Sequence, residues 1–254
     1  MKYFLFSDVH GEYDALITSL EAAGFDLSNP EHMLIGLGDY FDRGSQNEMV
    51  LVFLKTMLDM GRIKLIRGNH DDMLLNFLRT TGLGEPIDIF YNKTQYVNDI
   101  VYNGMNMTVA ELAGQPETAK NLSVLIDGVD GFRRQVKDKH PYLISMVENM
   151  TDRVLIDNYV LTHAGFTLYN YEEMKVNNWS HTEAMIERLQ SFLNPHLIYI
   201  FGHWHAEKLN KKFKVATDNM NKFVYKNFIG IDGKSNLTKK VTVHIIETET
   251  NIMG

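Results

Sequence analysis

Five times along this chain a short apolar run breaks off into a polar cluster rich in aspartate and histidine, and that recurrence narrows the possible folds more than any other feature. Tyr3–Ser7 runs into Asp8-Val9-His10-Gly11, and Met33–Leu37 into Gly38-Asp39-Tyr40-Phe41-Asp42-Arg43-Gly44. Lys64–Arg67 leads into Gly68-Asn69-His70-Asp71, Tyr159–Thr162 into His163-Ala164-Gly165, and Leu197–Phe201 into Gly202-His203-Trp204-His205. Runs of this length suit buried strands, and helical apolar spacing follows at about 13–23, 47–60 and 71–78. Strand alternating with helix predicts an α/β fold, and in an open sheet of that class the strand ends converge on one crevice. After His205 the pattern changes to alternation at Val241-Thr242-Val243-His244-Ile245-Ile246, which predicts antiparallel strands closing the fold. The interval between His70 and His163 carries no ligand cluster and reads as mostly helical, with an Asn103-Gly104 turn signal. It is expected to be an inserted cap at about 80–150 within a single domain spanning 1–254, placed above the crevice where it would govern which substrates fit.

Composition removes several classes of function. The 254 residues can bury a sizeable core without a staple. The chain has no cysteine, which excludes disulfides, cysteine-ligated zinc and thiolate nucleophiles. With 25 Lys and Arg against 32 Asp and Glu, the net charge of −7 leaves no basic surplus for general binding to nucleic acid or an anionic membrane. The opening MKYFLFSDVH is too short in apolar residues for a secretion signal, and no apolar run approaches the roughly 18 residues of a membrane span. A cytoplasmic protein is expected.

The clusters offer Asp8, His10, Asp39, Asn69, His163, His203 and His205 as nitrogen and oxygen ligands, too many for one metal ion. Two divalent cations at such a centre would acidify a bridging water and clamp a phosphoryl group. Asp39 is the natural bridge, since a carboxylate offers two oxygens and a neutral imidazole one nitrogen. Imidazoles mixed with carboxylates suit manganese, iron or zinc better than calcium. His70 follows Asn69 directly and is placed to protonate a leaving oxygen, with Asp42 holding its imidazole. Arg43 and Arg67 border the same clusters, and their planar forks match phosphate oxygens, so both are expected to anchor substrate. His205 is either a ligand or a neighbour beside Trp204. Arg133-Arg134 either meets a second anionic group of the substrate or lies on a solvated helix face. His32, His140, His181, His196 and His244 lie outside the clusters and are expected at the surface or in the core.

In their order, DVHG, GDYFDRG, RGNHD, THAG and GHWH resemble the signature of the calcineurin-like metallophosphoesterases, and the DRG and RGNH variants resemble its serine/threonine phosphoprotein phosphatase branch, notably the phage-lambda type. The resemblance covers roughly 1–80 and 155–250. It implies a four-layer α/β/β/α sandwich of two mixed sheets with helices outside. It also implies that Asp8, His10 and Asp39 hold one metal, that Asp39, Asn69, His163 and His203 hold the other, and that His70 and Asp42 form a catalytic pair. Manganese is the ion expected first. Asp71 stands where that branch usually has Glu, and Asp there is commoner among bacterial dinucleotide-polyphosphate hydrolases, which usually lack an aspartate equivalent to Asp42. The second histidine of GHWH resembles the wider metallophosphoesterase pattern and makes His205 a candidate seventh ligand. The expected activity is hydrolysis of a phosphomonoester by in-line attack of a metal-bridging hydroxide, as in a serine/threonine-type protein phosphatase acting on a phosphorylated protein, peptide or small phosphoester. A nucleotide or dinucleoside-polyphosphate hydrolase is the alternative. A non-catalytic phosphate-binding scaffold is the third reading, and the intact His70 and Asp42 argue against it.

Overall fold

The computed structural model describes residues 1–80, 93–164, 186, 194 and 196–249. The three N-terminal apolar runs are strands β1 (Lys2–Phe6), β2 (His32–Gly36) and β3 (Ile63–Leu65). The helices expected after them are α1 (Tyr13–Ala22), α2 (Asn47–Asp59) and α3 (Asn69–Arg79). β1 pairs in parallel with β2 and β2 in parallel with β3, so the C-terminal ends of all three deliver their polar clusters to one side. The remaining strands are β4 (Arg153–Ile156), β5 (Tyr159–Thr162), β6 (Ile198–His205), β7 (Phe223–Tyr225), β8 (Phe228–Asp232) and β9 (Val243–Glu247). β9, the alternating segment near the C-terminus, pairs antiparallel with β1 and completes a sheet ordered β3-β2-β1-β9. The second sheet is ordered β4-β5-β6-β8-β7, with β5, β6 and β8 parallel and both edge strands antiparallel.

β6 runs on past Phe201 to His205, across an irregularity in its register with β8 that re-aims the histidines there. β4 is an edge strand, and Leu155 on it is 61% exposed.

Alternate residues of β1 face opposite ways. Tyr3 and Leu5 enter an apolar layer with Met33, Ile35, Leu161 and Ile200, drawn from both sheets and so lying between them. Phe4 and Phe6 enter a larger cluster with Leu16, Val50, Leu54 and Leu74 of α1–α3. Behind the second sheet, Tyr199, Phe201 and Phe228 pack on Ala206 and Leu209 of the helix Ala206–Phe213. The layers are therefore α/β/β/α, as the resemblance implies. Burial on both faces is why the strands read as unbroken apolar runs, each fully buried Leu or Phe contributing about 1.5–3 kcal/mol.

The described part of the insertion is helical: α4 (Lys93–Asn98), α5 (Met105–Leu112), α6 (Leu122–Asp127), α7 (Val129–Lys139) and α8 (Leu143–Glu148), with a wider π-helical turn at Asp99–Asn103 and a tighter 3-10 turn at Pro116–Lys120. Its residues 81–92 lie outside the described set. It is packed against the core helices. Tyr96, Val109, Phe132 and Leu143 belong to the same apolar cluster as α2 and α3, and Tyr96 stacks on Phe77 with ring centroids 5.6 Å apart. Arg133 is buried: its Nε donates to the Phe77 carbonyl at 2.6 Å and its Nη1 to Asp130 at 2.6 Å, so it neither meets substrate nor lies on a solvated face. Arg134 is exposed. Among the other histidines His140 is buried, His196 exposed, and His32 and His244 half-buried, while His181 lies outside the described residues. Among the described residues no helix is long and apolar enough to cross a membrane.

Candidate metal centre

The clusters meet where the two sheets join. The loops after β1 and β2 are sewn together by the backbone: Asp8 N donates to Gly38 O (3.0 Å), His10 N to Asp39 O (3.1 Å) and Gly11 N to Tyr40 O (2.9 Å). Asp8, His10, Asp39, Asp42, Arg43 and His203 all have left-handed backbone, φ between 47° and 75°. Such strain persists only where surroundings fix it, and here it aims side chains of successive residues at one point. Two glycines allow the approach. A Cβ on Gly202 would overlap Ser7 Oγ and press on Asp8 Oδ2, and one on Gly68 would collide with Asp39 Oδ1. Asp71 then ties the second loop to the third: its Oδ2 accepts from Asp39 N (3.0 Å) and Gly68 N (2.8 Å), and its Oδ1 from Tyr40 N (3.3 Å). Burial, followed by the charge of Asp39, pushes the Asp71 pKa up to about 7.

Asp39 occupies the middle. Its Oδ1 lies 3.3 Å from His163 Nε2, while its Oδ2 lies 3.9 Å from His10 Nε2 and 4.0 Å from His70 Nε2. His10 donates its Nδ1–H to Phe41 O at 2.9 Å, and His163 donates its own to Leu37 O at 2.6 Å. Each bond fixes the tautomer and turns an Nε2 lone pair inward, the arrangement usual for metal-binding imidazoles. His163 Nε2 also lies 3.2 Å from Asn69 Oδ1, so acceptors from three chain segments converge on one spot. A proton or a cation must sit among them. Burial opposes a charge on His163, but Asp39 outweighs it and lifts the pKa to about 10. His10 goes the other way, to about 3, through burial and the neighbouring His70, which keeps its ring neutral.

Two groups have all their potential ligand atoms within 4.8 Å of one another: His10 with Asp39 and His70, and Asp39 with His163 and His203. A shared carboxylate flanked by imidazoles fits two cations with Asp39 between them. Asp8 adds to the first group's side. Its Oδ2 is engaged by Ser7 Oγ (2.5 Å) and His203 N (2.9 Å), and its Oδ1 lies 3.9 Å from His10 Nε2. Burial and then the nearby Asp232 hold the Asp8 pKa well above the ordinary carboxylate range, a concentration of negative charge that cations would relieve. His205 belongs to neither group. It donates Nδ1–H to Asp232 Oδ2 at 2.8 Å, and this carboxylate fixes its ring while leaving Nε2 available. Asp232 is 2% exposed and was missed in the sequence, although Phe228–Ile231 followed by Asp232-Gly233 repeats the pattern of an apolar run ending on a ligand-type residue.

His70 donates Nδ1–H to Asp42 Oδ2 at 2.7 Å, and Asp42 is fully buried. Burial disfavours the His70 cation, but Asp39 and Asp42 together outweigh it and raise the pKa. Arg43 spans this side of the site, its Nη1 donating to His10 Nε2 at 2.8 Å and its Nη2 to His70 Nε2 at 3.0 Å. Arg67 precedes α3, and its Nε is 3.2 Å from Asp72 Oδ1. Gly165 of the fourth cluster lies outside the described residues.

A sequence profile of the calcineurin-like phosphoesterases matches residues 1–207. The chain is 28% identical over 118 residues to the asymmetrical bis(5'-nucleosyl)-tetraphosphatase of Bacillus velezensis, a match covering 44% of this chain and 41% of that protein. It is 32% identical over 90 residues to serine/threonine-protein phosphatase PP1-delta of Caenorhabditis elegans, covering 35% of this chain and 28% of that one. The chain thus spans less than half the length of these curated relatives. A solved cold-active protein tyrosine phosphatase superposes with a TM-score of 0.51 at 15% identity, over 97% of this chain and 73% of the other, a likeness of fold.

Proposed function

This chain belongs to the calcineurin-like phosphoesterase family and is a metal-dependent hydrolase, and from that premise we propose that it cleaves dinucleoside polyphosphates of the diadenosine tetraphosphate kind. The observation that carries this reading is the match to bis(5'-nucleosyl)-tetraphosphatases, symmetrical as well as asymmetrical, over 88 to 118 residues of this chain. Asp71, in place of the Glu of the protein phosphatases, agrees with it.

Asp8, His10 and Asp39 would hold one cation, with His205 as a further donor, and Asp39, Asn69, His163 and His203 the other. Manganese is the proposed ion, with iron or zinc as alternatives. When bound, the pair would acidify the attacking water and place positive charge against the phosphoryl oxygens. The rest falls to side chains of this protein. Arg43 reaches the centre with both prongs, which rest on His10 and His70 and would turn to two phosphoryl oxygens when His10 takes up a cation, and Arg67 is the second proposed anchor. His70, oriented by Asp42, would carry a proton on Nε2 once Arg43 turns from that atom to the phosphoryl oxygens, and gives it to the leaving oxygen as the P–O bond breaks.

The His70–Asp42 pair favours a second reading. A nucleotide departs as a stable phosphate anion and needs little protonation, whereas a serine or threonine side chain departs as a strongly basic alkoxide and needs a proton. An imidazole held by a fully buried carboxylate is therefore the part expected of a phosphoprotein phosphatase. Comparing kcat/KM of the manganese-loaded protein for diadenosine tetraphosphate and a phosphoserine peptide decides between them. A preference of about tenfold or more, roughly 1.4 kcal/mol in the transition state, for the dinucleotide supports the first reading, and the reverse preference overturns it. Phosphate binding without turnover of either would leave the scaffold reading.

A further inference from the structure

We infer that Thr108, carried by the inserted helix α5, is a positioning residue for His70: its hydroxyl clamps Asp42 so that a single carboxylate oxygen faces the imidazole. This rests on the reading of His70 as the acid. Asp42 lies in the loop between β2 and α2 with φ at 75°, a conformation its own side chain does not stabilise. One hydroxyl holds both halves of the residue. Thr108 Oγ1 accepts from Asp42 N at 2.9 Å and donates to Asp42 Oδ1 at 2.5 Å, while Asn47 Oδ1 also accepts from Asp42 N at 2.8 Å. With Oδ1 engaged, Oδ2 is left for His70 Nδ1 at 2.7 Å. The carboxylate torsion of an aspartate is broad, so a second partner is what gives the His70 bond a direction. Thr108 and Asp42 are both fully buried.

The helix that brings Thr108 is docked at three points along one face. Gly104 O, just before α5, accepts from Arg43 N at 3.1 Å, Thr108 holds Asp42, and Glu111 Oε2 accepts from Asn47 N at 2.5 Å at the start of α2. Positions 104, 108 and 111 recur at helical spacing, so they address neighbouring points of the loop together. The insertion thus acts as a splint for the loop that carries Asp42, the partner of the acid.

The test compares the parent with Thr108→Val, Thr108→Ala, Thr108→Ser and His70→Asn on two aryl phosphates, nitrophenyl phosphate with a good leaving group and phenyl phosphate with a poor one. Thr108→Val and Thr108→Ala should lose about tenfold in kcat with phenyl phosphate and no more than about twofold with the nitrophenyl ester, because only the poor leaving group needs the proton. Thr108→Ser should restore the parent's ratio. In the metal-free protein, the His70 Nδ1–H resonance in a proton–nitrogen spectrum should persist in the parent and Thr108→Ser and broaden away in the other two. Equal losses on both esters, or an unchanged resonance, while His70→Asn stays selective for phenyl phosphate, would overturn the role of Thr108. Equal losses in His70→Asn itself would overturn the reading of His70 as the acid, and the inference with it.

Discussion

Asp39 and His163 share one short contact of 3.3 Å, and the chemistry of the centre turns on what lies in it. In the metal-free protein a proton does, because Asp39 raises the His163 pKa from 6.5 to about 10 against the cost of burial. The folded value exceeds the unfolded one, so this proton adds stability fully below about pH 6.5, and the gain is lost as pH rises through about 10. Metal-free protein should therefore melt at progressively lower temperature from pH 7 to 10, and His163→Gln should flatten that slope. A ligating Nε2 must shed the proton, so cation binding at pH 8 should release it. Calorimetry in two buffers of different ionisation heat measures the count, and no release would place the ion elsewhere. At His70 the prediction is selective: His70→Asn should lower kcat by about 10²–10⁴ for a phosphoserine peptide and far less for diadenosine tetraphosphate.

α3 begins at Asn69, two residues before the position expected from its apolar spacing, and the shift matters because its first turn carries Asn69, His70 and Asp71 toward the centre. Farther along, α3 is held to the insertion by Arg133 of α7, whose guanidinium also lies 5.1 Å from the Phe77 ring. Arg133→Ala would leave the Phe77 carbonyl without this donor in a packed interior. The expected cost is about 2–3 kcal/mol, read as a lowered denaturant midpoint. Arg134→Ala should change neither stability nor selectivity. A loss of dinucleotide turnover in Arg133→Ala without loss of stability would return that arginine to the substrate.

At the scale of the whole molecule the centre is a seam. Asp8, His10 and Asp39 follow strands of one sheet, while His163, His203 and Asp232 belong to or follow strands of the other. Gly202 of β6 and Ser7 after β1 meet across that seam with no room for a methyl group. Gly202→Ala should therefore push the sheets apart locally and weaken metal binding by about 10–100-fold, with circular dichroism unchanged. Unaltered metal affinity would show that the seam is more compliant than its contacts indicate.

What the sequence determined by itself was whatever lies close along the chain. A strand buried on both faces must be apolar throughout, and a ligand delivered by its end must follow at once, so β1, β2, β3, β5 and β6 and their Asp, Asn and His residues were legible without coordinates. α1, α2 and α3 followed from helical spacing. Tertiary structure decided what depends on partners distant in sequence. Asp42 meets Thr108 across 66 residues, His205 meets Asp232 across 27, and Arg133 meets Phe77 across 56. Nothing near Thr108 marks it as a support for an acid, and nothing near Arg133 separates a buried arginine from a solvated one. A side chain's charge and hydrogen-bonding capacity are written in its own identity, but whether it ends beside water, a cation or another carboxylate is settled only when packing brings separate segments within about 3 Å of each other.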